Sequence, residues 1–222
     1  MANLLIVPAA GMGRRLGRSE PKALAPLAGR PMIDWTLDAL RSVSFARAVV
    51  AVPPGRESDF ETVVNDRAAV VAGGETRAAS VRLAFRSLDP DGRDLVCIHD
   101  AARPLVSAAE TRAVIEAAGR EGAAIAATPI ADTVKRAAAG YVVDSADRSA
   151  LVAAGTPQVF RADLLRRALA ADEEATDEAS LLERLGIPVA IVEVSRLGFK
   201  VTTPEDLEMA EALLRSREAR RS

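Results

Sequence analysis

The sequence predicts an α/β fold: a mostly parallel central sheet with helices on both faces and one projecting β-hairpin arm. Three observations carry this. Short apolar, β-branched runs at 4–7, 46–52 and 94–99 have the make-up of strands buried on both faces. Amphipathic helical patterns alternate with them almost to the end of the chain, the rhythm of strand–loop–helix units. That rhythm breaks once, between Thr128 and Gln158, where two strand-like stretches flank a glycine turn. The expected architecture is Rossmann-like, one domain over 1–222 with 132–158 as the arm.

The first strand, 4–7, runs into Pro8, two alanines, Gly11 and Gly13, with Arg14, Arg15 and Lys22 behind them. Small residues let backbone N–H groups close on an anion, and basic side chains add charge for phosphate oxygens. The stretch is therefore a phosphate-binding loop, but not one of the two best-known kinds. No Gly-Lys pair completes a P-loop, and Leu16 stands where G-x-G-x-x-G needs its third glycine. The second strand, 46–52, ends in Pro53-Pro54-Gly55 instead of the acid that binds a dinucleotide ribose.

Residues 31–40 predict a helix that faces the core through Ile33, Leu37 and Leu40, and 57–64 predict a second. A short strand at 69–72 ends at Gly73-Gly74, and the helix 76–88 turns Val81, Leu83, Ala84 and Leu88 inward. The strand 94–99 leads into Asp100-Ala101-Ala102-Arg103-Pro104, a helix over 107–120 and a strand over 123–127. Residues 134–137 and 141–144 form the hairpin around Ala138-Ala139-Gly140. It has too few large apolar residues for a core of its own, so it is expected to pack against a second copy of the chain. A strand at 158–160, helices at 162–169 and 178–185, and a strand at 189–194 follow. The last helix, 204–214, has Thr203 as its N-cap, and 215–222 are expected to fray.

Composition removes several function classes. Lys plus Arg number 29 against 31 Asp plus Glu, a net charge of −2, which excludes nucleic acid as the main partner. Aromatic residues make up 3%, too few for a base-stacking platform. The single cysteine, Cys97, rules out an internal disulfide or a cysteine metal cage, and its apolar run marks it as inert core. No apolar run approaches ~20 residues, so no membrane partner is expected, and the cytoplasm is the expected compartment.

Ligands of an open parallel sheet sit at the carboxyl ends of its strands. Those ends bring Arg15, Lys22, Arg77, Arg103 and Lys200 together with one carboxylate, Asp100. Such a set suits several phosphate groups and a divalent metal. One histidine, one cysteine and no G-x-S-x-G leave a triad hydrolase little to work with, and His99 is expected to be a hydrogen-bonded structural residue. A reaction without a protein nucleophile fits best: attack by an anionic substrate on a nucleotide α-phosphorus, with the protein supplying alignment and positive charge.

The spellings P-A-A-G-x-G-x-R…P-K at 8–22, G-G-x-x-R-x-x-S-V at 73–81 and H-D-A-A-R-P at 99–104 now stand together. With D-T-V-K at 132–135, D-R at 147–148, T-P-Q at 156–158 and K-V-T-T-P-E-D at 200–206, the chain resembles the sugar-phosphate cytidylyltransferases. Its nearest likeness is to the branch that uses 2-C-methyl-D-erythritol 4-phosphate in the non-mevalonate isoprenoid pathway. The resemblance implies CTP and a polyol phosphate as substrates, Mg2+ held mainly by the CTP phosphates with Asp100 as a protein ligand, and a homodimer joined through the arm. It further implies that Ala9, Ala10 and Gly11 cradle the CTP phosphates and that Arg15, Lys22 and Lys200 are catalytic. Gly74, Glu75, Ser80 and Asp100 match positions that hold the nucleotide. Arg103, Thr133, Arg148, Thr156 and Lys200 match positions for the polyol phosphate, with Thr133 and Arg148 reaching a neighbouring subunit. The chain departs from the pattern at Gly155, at Gly198-Phe199 and at Ala23. The alternatives are a ribitol 5-phosphate cytidylyltransferase and a non-catalytic nucleotide sensor of the same fold.

Overall fold

Successive residues of the first strand serve opposite sides of the sheet. Leu4 and Ile6 enter one core, Leu5 and Val7 the other, and none is more than 3% exposed. With both faces covered, no polar alternation is tolerated, which is why the run is continuously apolar. The computed structural model describes residues 1–17, 19–171 and 175–219.

In chain order, β1 (Asn3–Pro8) is followed by a short hairpin, β2 (Pro26–Leu27) and β3 (Arg30–Pro31), and by α1 (Met32–Leu40). Next come β4 (Arg47–Val52), α2 (Glu57–Val64), β5 (Ala69–Ala72), α3 (Arg77–Leu88), β6 (Leu95–Ile98) and α4 (Ala108–Glu121). Then follow β7 (Ala123–Pro129), the hairpin β8 (Lys135–Ala138) and β9 (Tyr141–Ser145), β10 (Val152–Arg161), α5 (Ala162–Leu169), α6 (Glu178–Arg184), β11 (Ala190–Glu193) and α7 (Pro204–Ala219). The seven-stranded sheet has the order β11-β7-β10-β6-β1-β4-β5. All its pairings are parallel except the two made by β10. Because β4 and β6 lie on opposite sides of β1, the loops after β1 and β6 part and open a crevice at the switch point.

One face of the sheet is covered by α1, α2 and α4, through Ile33, Leu37, Phe60, Val64 and Val114. The other is covered by α3, α5 and α6, through Val81, Phe85, Leu88, Leu165 and Leu182. A third cluster, including Leu27, Met32, Leu105 and Val201, seats α7 through Ala210 and Leu214. Cys97 is fully buried in the first core, and burial pushes its thiol upward, out of reach of thiolate chemistry.

Three expectations require correction. The strand expected at 158–160 is much longer: it starts at Val152 and runs antiparallel between β6 and β7. Ala153, Ala154 and Gly155 carry no apolar signal because that half is an exposed ladder with β7, beyond the covered sheet. Leu83, expected in the core, is 38% exposed on the outer side of α3. The tail expected to fray continues as helix through Ala219, with Arg217 donating to the Leu105 carbonyl; 220–222 lie outside the described residues.

The hairpin is a separate two-stranded sheet. Its turn places Ala139 (φ 49°) and Gly140 (φ 84°) both in the left-handed region, the geometry that matches the twist of paired strands. Tyr141 is 79% exposed, and Val142 and Val143 are each 65% exposed.

Candidate active site

The loop after β1 leaves the sheet and returns to it as a closed excursion. Ala9 N–H donates to the Ala51 carbonyl, and Gly13 N–H to Glu20. Lys22 N–H bonds back to the Gly11 carbonyl, and Met12 pairs with Pro21. These bonds carry Lys22 back beside Gly11 although eleven positions separate them in sequence. A methyl added at Gly11 would meet no protein atom within 4 Å, so the protein's own packing does not require glycine there.

The second wall behaves differently. A methyl on Gly74 would sit 2.5 Å from Ala79 Cβ and 3.2 Å from the Ala79 carbonyl carbon, too close for either to yield. The turn is pinned to α3: Gly74 N–H donates to Ser80 Oγ, whose hydroxyl lies 2.9 Å from the Thr76 carbonyl. Thr76 caps the helix by accepting from Ala79 N–H. Ser80 is thus fully buried and shapes the turn, while Glu75 stands exposed at its rim.

Between the walls lies a cleft of about 300 Å³. Ala9, Ala10, Gly11, Arg15, Lys22, Gly74, Glu75, Ser80, Asp100 and Lys200 all line it, as expected, together with Met12, Thr76 and Arg77. A second cavity of about 360 Å³, lined by Arg103, Asp132, Thr156 and Phe199, shares Lys200 with the first. Lys200 therefore stands at the junction of the two cavities.

Asp100 is the electrostatic centre. Its side chain is 9% exposed, with Arg77 Nε at 3.2 Å from Oδ1 and Lys200 Nζ at 2.8 Å from Oδ2. Arg103 Nε lies 3.7 Å away, too far for a hydrogen bond. Burial alone would raise this carboxyl, but the cations of Arg77, Lys200 and Arg103 reverse that and hold it well below the usual carboxylate range. Lys22 is perturbed the other way. Desolvation first, then repulsion from Lys200 and Arg15, lowers its ammonium to about 8.

Arg103 is set by backbone. Its guanidinium lies 3.4 Å from where a Gly155 Cβ would be, and Nη1 donates to the Gly198 carbonyl at 2.9 Å. The departures at 155 and 198 are the positions that seat this side chain. His99 is structural, as expected. It is fully buried, and desolvation pushes its imidazole down to about 4. Asp100 N–H donates to Thr156 Oγ1, which lies 3.2 Å from His99 Nδ1, while His99 Nε2 faces the Arg103 carbonyl at 3.3 Å. A neutral imidazole with its proton on Nε2 satisfies all three contacts, so Thr156 spends its hydroxyl on this chain.

Two expected residues stand apart. Thr133 and Arg148 are exposed on the arm and line none of these cavities; Arg148 donates to the Ala131 carbonyl of its own arm. Sequence reasoning missed Gln158, Asp177 and Glu178, which lie behind the cleft. Gln158 bonds Asp177, and Glu178 bonds Arg77. An Asp-Glu pair opening a helix has the spelling of an ordinary cap, and that hid their reach toward the site.

A family model described as IspD, 2-C-methyl-D-erythritol 4-phosphate cytidylyltransferase, matches residues 3–216. The 2-C-methyl-D-erythritol 4-phosphate cytidylyltransferase of Pelotomaculum thermopropionicum is 42% identical over 227 residues, covering 97% of this chain and 95% of that one. That of Frankia casuarinae is 46% identical over 214 residues, covering 94% and 80% respectively. The crystal structure of the Thermus thermophilus enzyme of that name superimposes with a TM-score of 0.80 at 40% identity, over 97% of this chain and 100% of the other.

Proposed function

The chain belongs to the 2-C-methyl-D-erythritol 4-phosphate cytidylyltransferase family, and on that premise we propose that its cleft transfers CMP from CTP to 2-C-methyl-D-erythritol 4-phosphate. The product is 4-diphosphocytidyl-2-C-methyl-D-erythritol, and pyrophosphate leaves. The observation that carries the reading is the cleft's charge: among the described residues Arg15, Lys22, Arg77 and Lys200 line it against Glu75 and Asp100.

In the proposed reaction a phosphate oxygen of the polyol phosphate bonds to the α-phosphorus of CTP. The bond from that phosphorus to the bridging oxygen breaks, and pyrophosphate takes the electron pair. Backbone at 9–11 receives the triphosphate, while Arg15 and Lys22 neutralise the α-phosphate and the leaving group. Charge aimed at a developing anion is the largest lever available where the protein itself forms no bond to the substrate. Gly74, Glu75 and Ser80 shape a narrow turn that admits cytosine and excludes purines. Arg103 faces the polyol phosphate in the second cavity, Thr156 lines that cavity while its hydroxyl holds His99 and the Asp100 backbone, and Lys200 spans the junction.

No group of three or more His, Cys, Asp or Glu suited to a metal occurs among the described residues. In this reading Mg2+ is held chiefly by the CTP phosphates, and Asp100 would join it only through a lone pair that Arg77 and Lys200 leave free. When bound, the ion would neutralise phosphate charge.

We further propose a homodimer joined through the arm, with Thr133 and Arg148 entering the partner's site; exposed Tyr141, Val142 and Val143 are what such a partner would cover. The cytoplasm, which holds CTP, is the compartment this reading implies. One assay tests the function: pyrophosphate release from CTP and magnesium with methylerythritol phosphate, compared with ribitol 5-phosphate. Release with the first and not the second is expected. Release only with ribitol phosphate reassigns the acceptor, and none with either leaves a nucleotide-binding protein without turnover.

A further inference from the structure

Behind the cleft sits a carboxylate that the transfer chemistry has not used. Glu178 opens α6 but is only 1% exposed, and its two oxygens lie 2.8 and 2.9 Å from Arg77 Nη1, which donates to them. A glutamate in the first turn of a helix is favoured there even when fully solvated. Burial raises the Glu178 carboxyl, and Arg77 opposes that rise.

The position of Glu178 is enforced. Gln158 Nε2 donates to Asp177 at 2.8 Å, and Gln158 Oε1 accepts from Ala179 N–H at 3.3 Å, clamping the start of α6 on both sides of Glu178. On the far side, Arg77 Nε reaches Oδ1 of Asp100, while Oδ2 is 2.8 Å from Lys200 Nζ. One guanidinium is thus divided between two buried carboxylates.

We propose that Glu178 is a positioning residue for cytidylyl transfer: by gripping Arg77 it limits that side chain to one oxygen of Asp100 and leaves the other to hold Lys200 at the junction of the two cavities. The role rests on the transfer reading above. Without the grip, the guanidinium fork can take both oxygens of Asp100, the pairing it favours with a carboxylate. Lys200 then loses its anchor where CTP and the polyol phosphate meet. A residue kept only to neutralise Arg77 would behave differently: its loss would lower stability and leave kcat intact.

Two variants separate these roles. Glu178→Asp keeps the charge and shortens the reach; Glu178→Gln keeps the shape and removes the charge. With CTP, magnesium and methylerythritol phosphate saturating, each is expected to lose kcat on the order of 10- to 10²-fold, the usual cost of misplacing a reacting group by about 1 Å. KM for CTP should stay within about threefold, because binding shared by ground and transition states is untouched. In a Lys200→Met background, Glu178→Gln should add little further loss, since the side chain it serves is gone. Variants that turn over like the wild type overturn the role. So does a Glu178→Gln loss as large without Lys200 as with it. Should Glu178→Gln not fold, Glu178→Asp decides the matter alone, since charge neutralisation predicts that it matches the wild type. Wild-type turnover beside unimpaired variants refutes only this role; a wild type without turnover refutes the transfer reading and this role together.

Discussion

Raising the pH from neutral to mildly alkaline while measuring CTP affinity tests the state of Lys22. Desolvation and the neighbouring Lys200 and Arg15 hold its ammonium at about 8, against an ordinary 10.5. A triphosphate beside it reverses the repulsion, so the bound form keeps its proton to much higher pH. Below about pH 7 Lys22 is charged in the free and bound states alike, and affinity should not depend on pH through this group. At pH 8 about half of the free molecules lack the proton, so binding should take up about half a proton per CTP. At about pH 9 the uptake approaches 0.9, and Kd climbs toward tenfold per pH unit. The nucleotide's own last phosphate ionisation lies near 6 and is complete in this range. Isothermal titration calorimetry in two buffers of different ionisation enthalpy measures the uptake directly, with Lys22→Met as the comparator that lacks it. Flat affinity and no uptake between about pH 8 and 9 would refute the reasoning.

Four further outcomes are expected. Lys22→Ala and Arg15→Ala should each lower kcat by about 10²–10³-fold with CTP saturating, and steady-state kinetics within a few fold of wild type would remove them from the transfer step. Gly74→Ala should raise KM for CTP and cost about 1–3 kcal/mol in a urea melt, because its methyl collides with Ala79; comparable kcat/KM with ATP or GTP would disprove the cytosine assignment of that turn. Thr36 is fully buried and its hydroxyl lies 2.8 Å from the Ala101 carbonyl, tying α1 to the loop that carries Asp100. Thr36→Val should therefore cost about 1–2 kcal/mol in chemical denaturation, and an unchanged midpoint would show that the bond contributes nothing. Mixing Lys22→Ala with Arg148→Ala should restore part of the activity through heterodimers with one intact composite site; exchanged heterodimers that stay inactive would place Arg148 within its own chain.

Much of the scaffold was legible because each face of the sheet is covered. Full coverage forces continuous apolar runs, and those at 4–7 and 95–98 mark strands that the structure contains. The residues converging on the cleft were legible for a related reason: in a parallel sheet all carboxyl ends point one way, so Lys22, Gly74 and Asp100 could be placed together because each follows the end of an expected strand. The first half of β10 escaped because it runs against that rule: its exposed alanines follow no apolar pattern, and the strand carries Thr156 to the site from its middle instead of from a carboxyl end. Glu178 escaped because a buried carboxylate and a solvated one are spelled alike; only the position of Arg77 tells them apart.

The way the arm departs from the sheet has a consequence for how such enzymes diversify. β7 and β10 remain paired up to Pro129 and Val152, so the whole excursion leaves and rejoins the sheet at facing residues. A segment whose two ends already touch can be lengthened, shortened or exchanged with little cost in closing the loop, and with no change to the strand order beneath it. The first cavity is lined mainly by the loops after β1, β5 and β6, and none of its lining residues belongs to the arm. The fold is thus divided into a fixed cassette around the phosphate loop and a replaceable module on the arm. Grafting 130–151 from a relative with a different acceptor is a modular exchange, one that leaves the phosphate loop, Asp100 and both hydrophobic cores in place.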